Sequence, residues 1–311
     1  MSARQLLRLG LLFAALLVLW GAAALVHRRG AATGAGEGFR LPPMARSTVD
    51  SVVLSRPGDT VVLAKSDAAA WAVNGYRASP AAVAELFAAL TDTASGSELV
   101  AQRRASYAEL GVDSAGTRVR VIGGGRSLAD LIVGRRAPTF SGGYVRQAQH
   151  ESTYLVHGRL VDALTRPLDE WRDHRVVAVP ADSVATIEIS RGSRRYALHR
   201  AASGWRLSPG GPADSVGAAG LVTAFGALDA SGFASPADAK RARFTRPERQ
   251  ARLLRRDGTP IVALLFDSTA AGFWVRPDTG TVIYSLDQAA ADRVTPAEGA
   301  LRAPRDTARA R

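Results

Sequence analysis

Two kinds of hydrophobic pattern divide the chain. From Leu9 to Val26 eighteen residues run without a charge and without a polar face, whereas beyond residue 48 apolar and polar positions alternate in short stretches. At about 1.5 Å per residue the first run reaches about 27 Å, enough for a bilayer core roughly 30 Å thick. Trp20 falls toward the far end, where an interfacial aromatic is expected. Arg4, Arg8 and the amino terminus flank one side, and His27, Arg28 and Arg29 the other, a weak signal for a cytoplasmic segment 1–8. Ala22-Ala23-Ala24 would suit a signal peptidase, but the run exceeds an ordinary signal-peptide core and basic residues follow directly. Residues 9–26 therefore read as an uncleaved transmembrane signal anchor with the bulk of the chain exported. Residues 27–47, rich in Gly and Ala and closing on Pro42-Pro43, read as a flexible linker.

After the linker, short alternating runs predict strands. Val49–Ser55 and Thr60–Lys65 flank a Gly58-Asp59 turn, a hairpin by alternation and turn chemistry, and Trp71-Ala72-Val73 adds a third strand. Pro80 opens a helix through Leu90, with Val83, Leu86, Phe87 and Leu90 on one face. A second hairpin spans Arg118–Val133 around Gly123-Gly124-Gly125, followed by strands at Gly143–Arg146 and Thr153–Val156 and a helix near Arg159–Leu164.

The same order returns from residue 184. Val184–Ser190 and Arg195–Arg200 parallel the first hairpin, and Trp205 stands 134 residues after Trp71. Phe87 and Leu90 correspond to Phe225 and Leu228, and Tyr144-Val145-Arg146 to Trp274-Val275-Arg276. Tyr154, Asp162 and Leu164 meet Tyr284, Asp292 and Val294 at the same offset of 130. A repeat this long is a domain and not a solenoid unit. The expected architecture is α+β: an N-terminal transmembrane helix, then two tandem repeated domains at 48–176 and 182–302. Each domain would be an antiparallel sheet with helices packed on one face. Residues 303–311 carry no apolar pattern and read as a disordered basic tail.

Composition changes this picture mainly by exclusion. With no cysteine, a disulfide scaffold, a thiol nucleophile, a zinc-thiolate site and a cysteine-linked lipid anchor are ruled out. The net charge of +12 invites a nucleic-acid reading, but residues 1–46 hold six arginines against one glutamate, and 302–311 four against one aspartate. Only Lys65 and Lys240 are lysine, and the pairs Arg103-Arg104, Arg135-Arg136 and Arg194-Arg195 lack interleaved aromatics. The charge reads as a solvated surface with basic ends, and no nucleic-acid partner is expected.

Candidate chemistry is sparse. There is no Gly-x-Ser-x-Gly elbow, no His-Glu-x-x-His and no phosphate loop. His150-Glu151 and His157 are separated by a predicted strand at a spacing that suits no metal set, so no metal or other cofactor is expected. The densest polar cluster is Trp171-Arg172-Asp173-His174-Arg175. Asp173 and His174 suggest an acid–base pair, yet neighbours on a strand point to opposite faces. Trp171 is expected to cap the first core, with Arg172 and Asp173 tying the domain junction by charge-assisted hydrogen bonds. Gly123-Gly124-Gly125 reads as a turn, and Trp71, Trp205 and Trp274 as aromatics of the sheet cores.

The order of these features resembles the bacterial family called domain of unknown function 4340. It is carried by the anchor, the hairpin with Val49, Val52 and Leu54, and Trp71. It continues through Tyr107-Ala108-Glu109-Leu110-Gly111-Val112-Asp113, the Tyr-Val-Arg strand, Thr153-Tyr154-Leu155-Val156 and the closing Trp171–Val176 segment. The likeness covers roughly 48–300, and the second copy, which lacks the Leu-Gly-x-Asp and the closing Asp-x-Arg, is the more divergent. It implies an envelope protein without an assigned activity, from a family whose members are often encoded near permease and auxiliary components of a gliding-motility-type ABC transporter, and it supplies no catalytic residues.

The expected function is a non-enzymatic, inner-membrane-anchored periplasmic scaffold or interaction protein. Its expected partners are the inner membrane and the permease or auxiliary subunits of an ABC transporter. The alternative is a periplasmic ligand-binding module with a site between the repeats that uses Tyr144 or Trp274. An envelope hydrolase using Asp173 or His174 is a third possibility.

Overall fold

The structure is a computed structural model and describes residues 38–66, 70–92, 96–138 and 142–303. The expected cytoplasmic segment 1–8, the anchor 9–26, most of the linker and nearly all of the tail lie outside the described residues. Among the described residues no helix is long and apolar enough to cross a membrane. The chain divides into two compact units, Met1–Trp171 and Arg172–Arg311. That division falls a few residues before the boundary expected at 176.

In the first unit, alternation of buried and exposed positions builds β1 (Ser51–Arg56), β2 (Asp59–Lys65), β3 (Trp71–Val73), β4 (Tyr76–Arg77) and β5 (Ser97–Ala101). It then builds β6 (Thr117–Gly123), β7 (Arg126–Arg136), β8 (Gly142–Gln147) and β9 (Thr153–His157). They form one antiparallel sheet in the order β4-β3-β2-β1-β6-β7-β8-β9-β5. The β6–β7 turn uses Gly124 and Gly125 at φ 57° and 72°, the paired positive φ that a two-residue hairpin loop needs. Helix α1 (Pro80–Thr91) starts where the Ser79 hydroxyl accepts the Ala82 N–H, and it buries Val83, Leu86, Phe87 and Leu90. With α2 (Tyr107–Leu110), α3 (Leu160–Leu164) and α4 (Leu168–Trp171) it completes the unit.

The second unit adds β10 (Arg175–Val177), then β11 (Thr186–Arg191), β12 (Arg194–Ala201), β13 (Gly204–Ser208), β14 (Gly211–Pro212) and β15 (Leu228–Asp229). It continues with β16 (Gly232–Phe233), β17 (Arg249–Leu254), β18 (Pro260–Thr269), β19 (Gly272–Pro277) and β20 (Tyr284–Leu286). Its sheet runs β14-β13-β12-β11-β17-β18-β19-β20-β16, the same path as the first, while β10 and β15 pair separately. Helices α5 (Ser215–Gly226), α6 (Pro236–Arg241) and α7 (Gln288–Val294) accompany it.

The internal repeat is therefore a repeat of topology, and it extends to details. The Trp171 carbonyl accepts from Ser79 N at 2.8 Å, and the Leu301 carbonyl from Asp214 N at 2.9 Å, so each helix start is tied to the end of its own copy. Gly142 and Gly272, 130 apart, sit at φ 145° and 150°, and a Cβ on either would come within 2.3 Å of the carbonyl oxygen of Val156 or Leu286. Only glycine lets the β8–β9 and β19–β20 pairs close at that point.

Two expectations are corrected. Helices were expected on one face of each sheet, but α2 lies on the other face of the first. Leu131, Val133 and Val145 point into the main core, while their neighbours Ile132 and Tyr144 pack with Tyr107, Leu110 and Val112 in a separate small core. Because side chains alternate along a strand, the two clusters lie on opposite faces. The described end of the linker is also packed rather than free. Met44 is buried in the core, Phe39 and Leu41 lie against it, and Phe39 N donates to Ser97 Oγ at 2.8 Å.

Candidate functional site

The segment singled out by its polar density splits across the unit boundary. Trp171 is fully buried in the first core, as expected, with the Arg166 guanidinium 5.1 Å from its ring centroid. Arg172 belongs to the second unit and stacks 4.8 Å above Phe233 of β16. Asp173 Oδ1 accepts the Arg175 N–H at 3.0 Å, a local turn bond. His174 turns the other way, with its ring 4.9 Å from Phe233 and Nδ1 3.0 Å from the Ala230 carbonyl oxygen. Phe233 in turn lies 5.5 Å from Tyr284. Arg172 and His174 thus share one aromatic surface, that of Phe233.

Tyr144 and Trp274 occupy equivalent places on β8 and β19. Tyr144 is half-buried in the small core under α2. Trp274 is half-buried beside a depression of about 460 Å³ in the second unit, with the Arg241 guanidinium 6.0 Å from its ring. Trp71 is buried, and Trp205 packs against the second core with Arg200 4.9 Å from its ring. His157 Nε2 lies 3.4 Å from Glu98, and Glu151 pairs with Arg104 at 3.1 Å, so the residues once considered as metal ligands face different partners. Among the described residues no group of three His, Asp or Glu is placed to hold a metal ion.

Sequence reasoning missed a set of arginines that recur in both copies. Arg56 closes β1 and donates to the Thr165 carbonyl at 3.1 Å; Arg191 closes β11 and donates to the Thr295 carbonyl at 3.1 Å. Thr165 and Thr295 each send their hydroxyl back to the carbonyl one helical turn earlier, Val161 or Ala291. Each arginine thereby satisfies a carbonyl at the end of a helix packed on the core face of its own sheet. The signal was available: two arginines at matching strand ends and two threonines 130 apart.

A second pair is Arg146 and Arg276, whose match at the offset of 130 was legible in the sequence although their partners were not. Arg146 Nε donates to the Val112 carbonyl at 2.9 Å with its guanidinium 4.4 Å from the Tyr107 ring, and Arg276 lies 4.7 Å from Phe244. The copies differ at their aspartates. Asp162 meets the exposed Arg136 at 3.0 Å, whereas Asp292 meets Arg249 at 2.6 Å, and the Arg249 side chain is only 7% exposed. Burial pushes the Asp292 carboxyl up, but hydrogen bonds from Gln288 and Arg249 and the charges of Arg249 and Arg191 outweigh this and hold it below its ordinary value. Burial raises the Tyr196 hydroxyl, which donates to the Pro296 carbonyl.

A cleft of about 890 Å³ in the first unit is lined by Arg56, Arg104, Tyr107, Arg118, Arg146 and Glu151. Arg118 is clamped by Asp130 through two bonds of 3.0 and 2.7 Å, Arg56 by Asp59, and Arg104 by Glu151. These three cations are each paired within the unit.

The family model described as Domain of unknown function (DUF4340) matches residues 71–247, more than half of the chain. No curated protein and no solved structure matches it.

Proposed function

This chain belongs to the family of domain of unknown function 4340, and on that premise we propose that it is a non-enzymatic interaction protein of the bacterial envelope. Residues 9–26 anchor it in the inner membrane as a single transmembrane helix, and the two repeats serve in the periplasm as docking modules for a membrane complex of the ABC-transporter kind. The observation that carries this reading is how the recurring polar side chains are used. Arg56 and Arg191, like Arg146, donate to backbone carbonyls of their own unit. The Arg56 and Arg191 lock retained in both copies therefore holds the sheet of its unit rather than meeting a reacting group.

The test is isolation of the full chain in mild detergent through a tag after the last residue, with the co-purifying integral membrane proteins identified. A stoichiometric transporter permease or auxiliary subunit supports the proposal. A chain that emerges without any membrane partner contradicts it.

A further inference from the structure

Arginines that look scattered in the sequence come together on the outer face of the second sheet. Leu198, Ile189 and Leu253 point into the core, so Ala197, Glu188 and Arg252 point away from it. The register sets these three side by side, with Glu188 opposite Ala197 on one strand and Arg252 on the other. One pleat along, Ser190 is flanked by Arg195 and Gln250, and Ala197 also faces Ser208. Small side chains at 190, 197 and 208 leave a floor between longer neighbours, a depression of about 500 Å³ rimmed by Arg195, Arg252, Gln250 and Glu188.

The first unit fills the same place. At the matching register positions it has Thr60 for Arg195, Val62 for Ala197 and Val53 for Glu188. The second copy has thus exchanged two valines and a threonine for Glu188, Ala197 and Arg195, while an arginine at the place of Arg252 is common to both, as Arg120 in the first copy. The Arg195 side chain is exposed and makes no ion pair or hydrogen bond with a described residue, and Glu188 stands 3.8 Å from Arg252, too far for a close pair. Arg206, opposite His199 on the same face, adds a further exposed guanidinium beside it.

We propose that this depression binds a phosphate-bearing ligand. The guanidiniums of Arg195 and Arg252 take the phosphate oxygens, for which their planar donor forks are suited. Gln250 and Ser208 supply neutral hydrogen bonds, and Glu188 accepts from a hydroxyl or ammonium group of the same molecule. A lipid headgroup and a soluble phosphate ester share this chemistry.

The test titrates the full chain in neutral detergent with glycerol 1-phosphate and with monomeric dihexanoylphosphatidylglycerol. Binding is read by calorimetry and located by hydrogen exchange over residues 194–208. The expected result is saturable binding of at least one ligand, protection of 194–208, and affinity at least tenfold weaker in Arg195→Gln/Arg252→Gln. Arg255→Gln/Arg256→Gln removes the same charge from the exposed β17–β18 turn and should bind like the parent. Preference for the monoester assigns the site to a soluble phosphate compound, and preference for the diester to a lipid headgroup. Absence of binding by both ligands, or equal weakening in the two double variants, overturns the proposal.

Discussion

Replacing Asp292 by alanine should destabilise the second unit far more than replacing its repeat equivalent Asp162 destabilises the first. Asp292 accepts from Arg249 at 2.6 Å and from Arg191 at 3.3 Å, and Arg249 is buried against Phe273 with its guanidinium 4.2 Å from the ring. Losing the carboxylate strands a buried cation, a change that typically costs about 3–5 kcal/mol. Here Arg249 keeps the Thr295 hydroxyl at 3.2 Å and the Phe273 face, and Asp292 is itself 43% exposed. Those remaining contacts and solvent screening bring the expectation down to roughly 2–4 kcal/mol. Asp162 and Arg136 are 50% and 66% exposed, so Asp162→Ala should cost below about 1 kcal/mol.

Hydrogen exchange read by mass spectrometry separates the units, with peptides over 249–254 and 288–294 reporting on one and 126–136 and 160–164 on the other. A second variant checks the cause. Asp292→Ala combined with Arg249→Met removes both charges and should recover at least half of the loss. Equal effects at 162 and 292, or no recovery in the double variant, would refute the reasoning. Because the folded Asp292 carboxyl titrates below its unfolded value, its contribution is complete above the unfolded pKa of about 3.9 and disappears as pH falls through the folded value. Acid should therefore loosen the second unit in the parent chain and change Asp292→Ala less.

Other outcomes follow from the same structure. Trp171→Ala should destabilise the first unit by about 3–5 kcal/mol, because it empties a fully buried site, and a urea titration followed by exchange in α1 would measure it. Gly142→Ala and Gly272→Ala should produce matched losses in their own units, since both place a Cβ 2.3 Å from a carbonyl oxygen; a neutral effect at either site would contradict the close approach. Met44→Ala should cost about 2–3 kcal/mol and expose residues 38–45 to protease, because Met44 fastens that segment to the first core.

The hairpins, α1 and the duplication were legible because they rest on local alternation and on aromatic positions that recur at a fixed offset. Val52, Leu54, Val61 and Leu63 announce a half-buried hairpin within a window of a dozen residues. Edge strands β5 and β16 were not legible: β5 puts apolar Val100 on its exposed phase and only half-buries Ser97, Leu99 and Ala101, and β16 is two residues long. The placement of α2 was hidden for another reason. Tyr107, Leu110 and Val112 form a short apolar group that cannot say which face it covers until Ile132 and Tyr144 are seen to point away from the main core. The arginine locks left only a partial trace, Thr165 and Thr295 at the offset of 130, because the backbone carbonyls that Arg56 and Arg191 reach, 109 and 104 residues away, carry no side-chain signature. The outer depression of the second sheet needed the register itself, since Arg195, Ala197, Ser208 and Arg252 meet only through β11, β12, β13 and β17.

The central claim, an exported pair of modules held at the inner membrane by residues 9–26, is tested most directly by topology. A reporter active only outside the cytoplasm is fused after Arg302, and the mass of the mature chain is read from the membrane fraction. The account predicts an active reporter on a full-length, membrane-bound chain. An inactive reporter, or a soluble product shortened near Ala24, would contradict it.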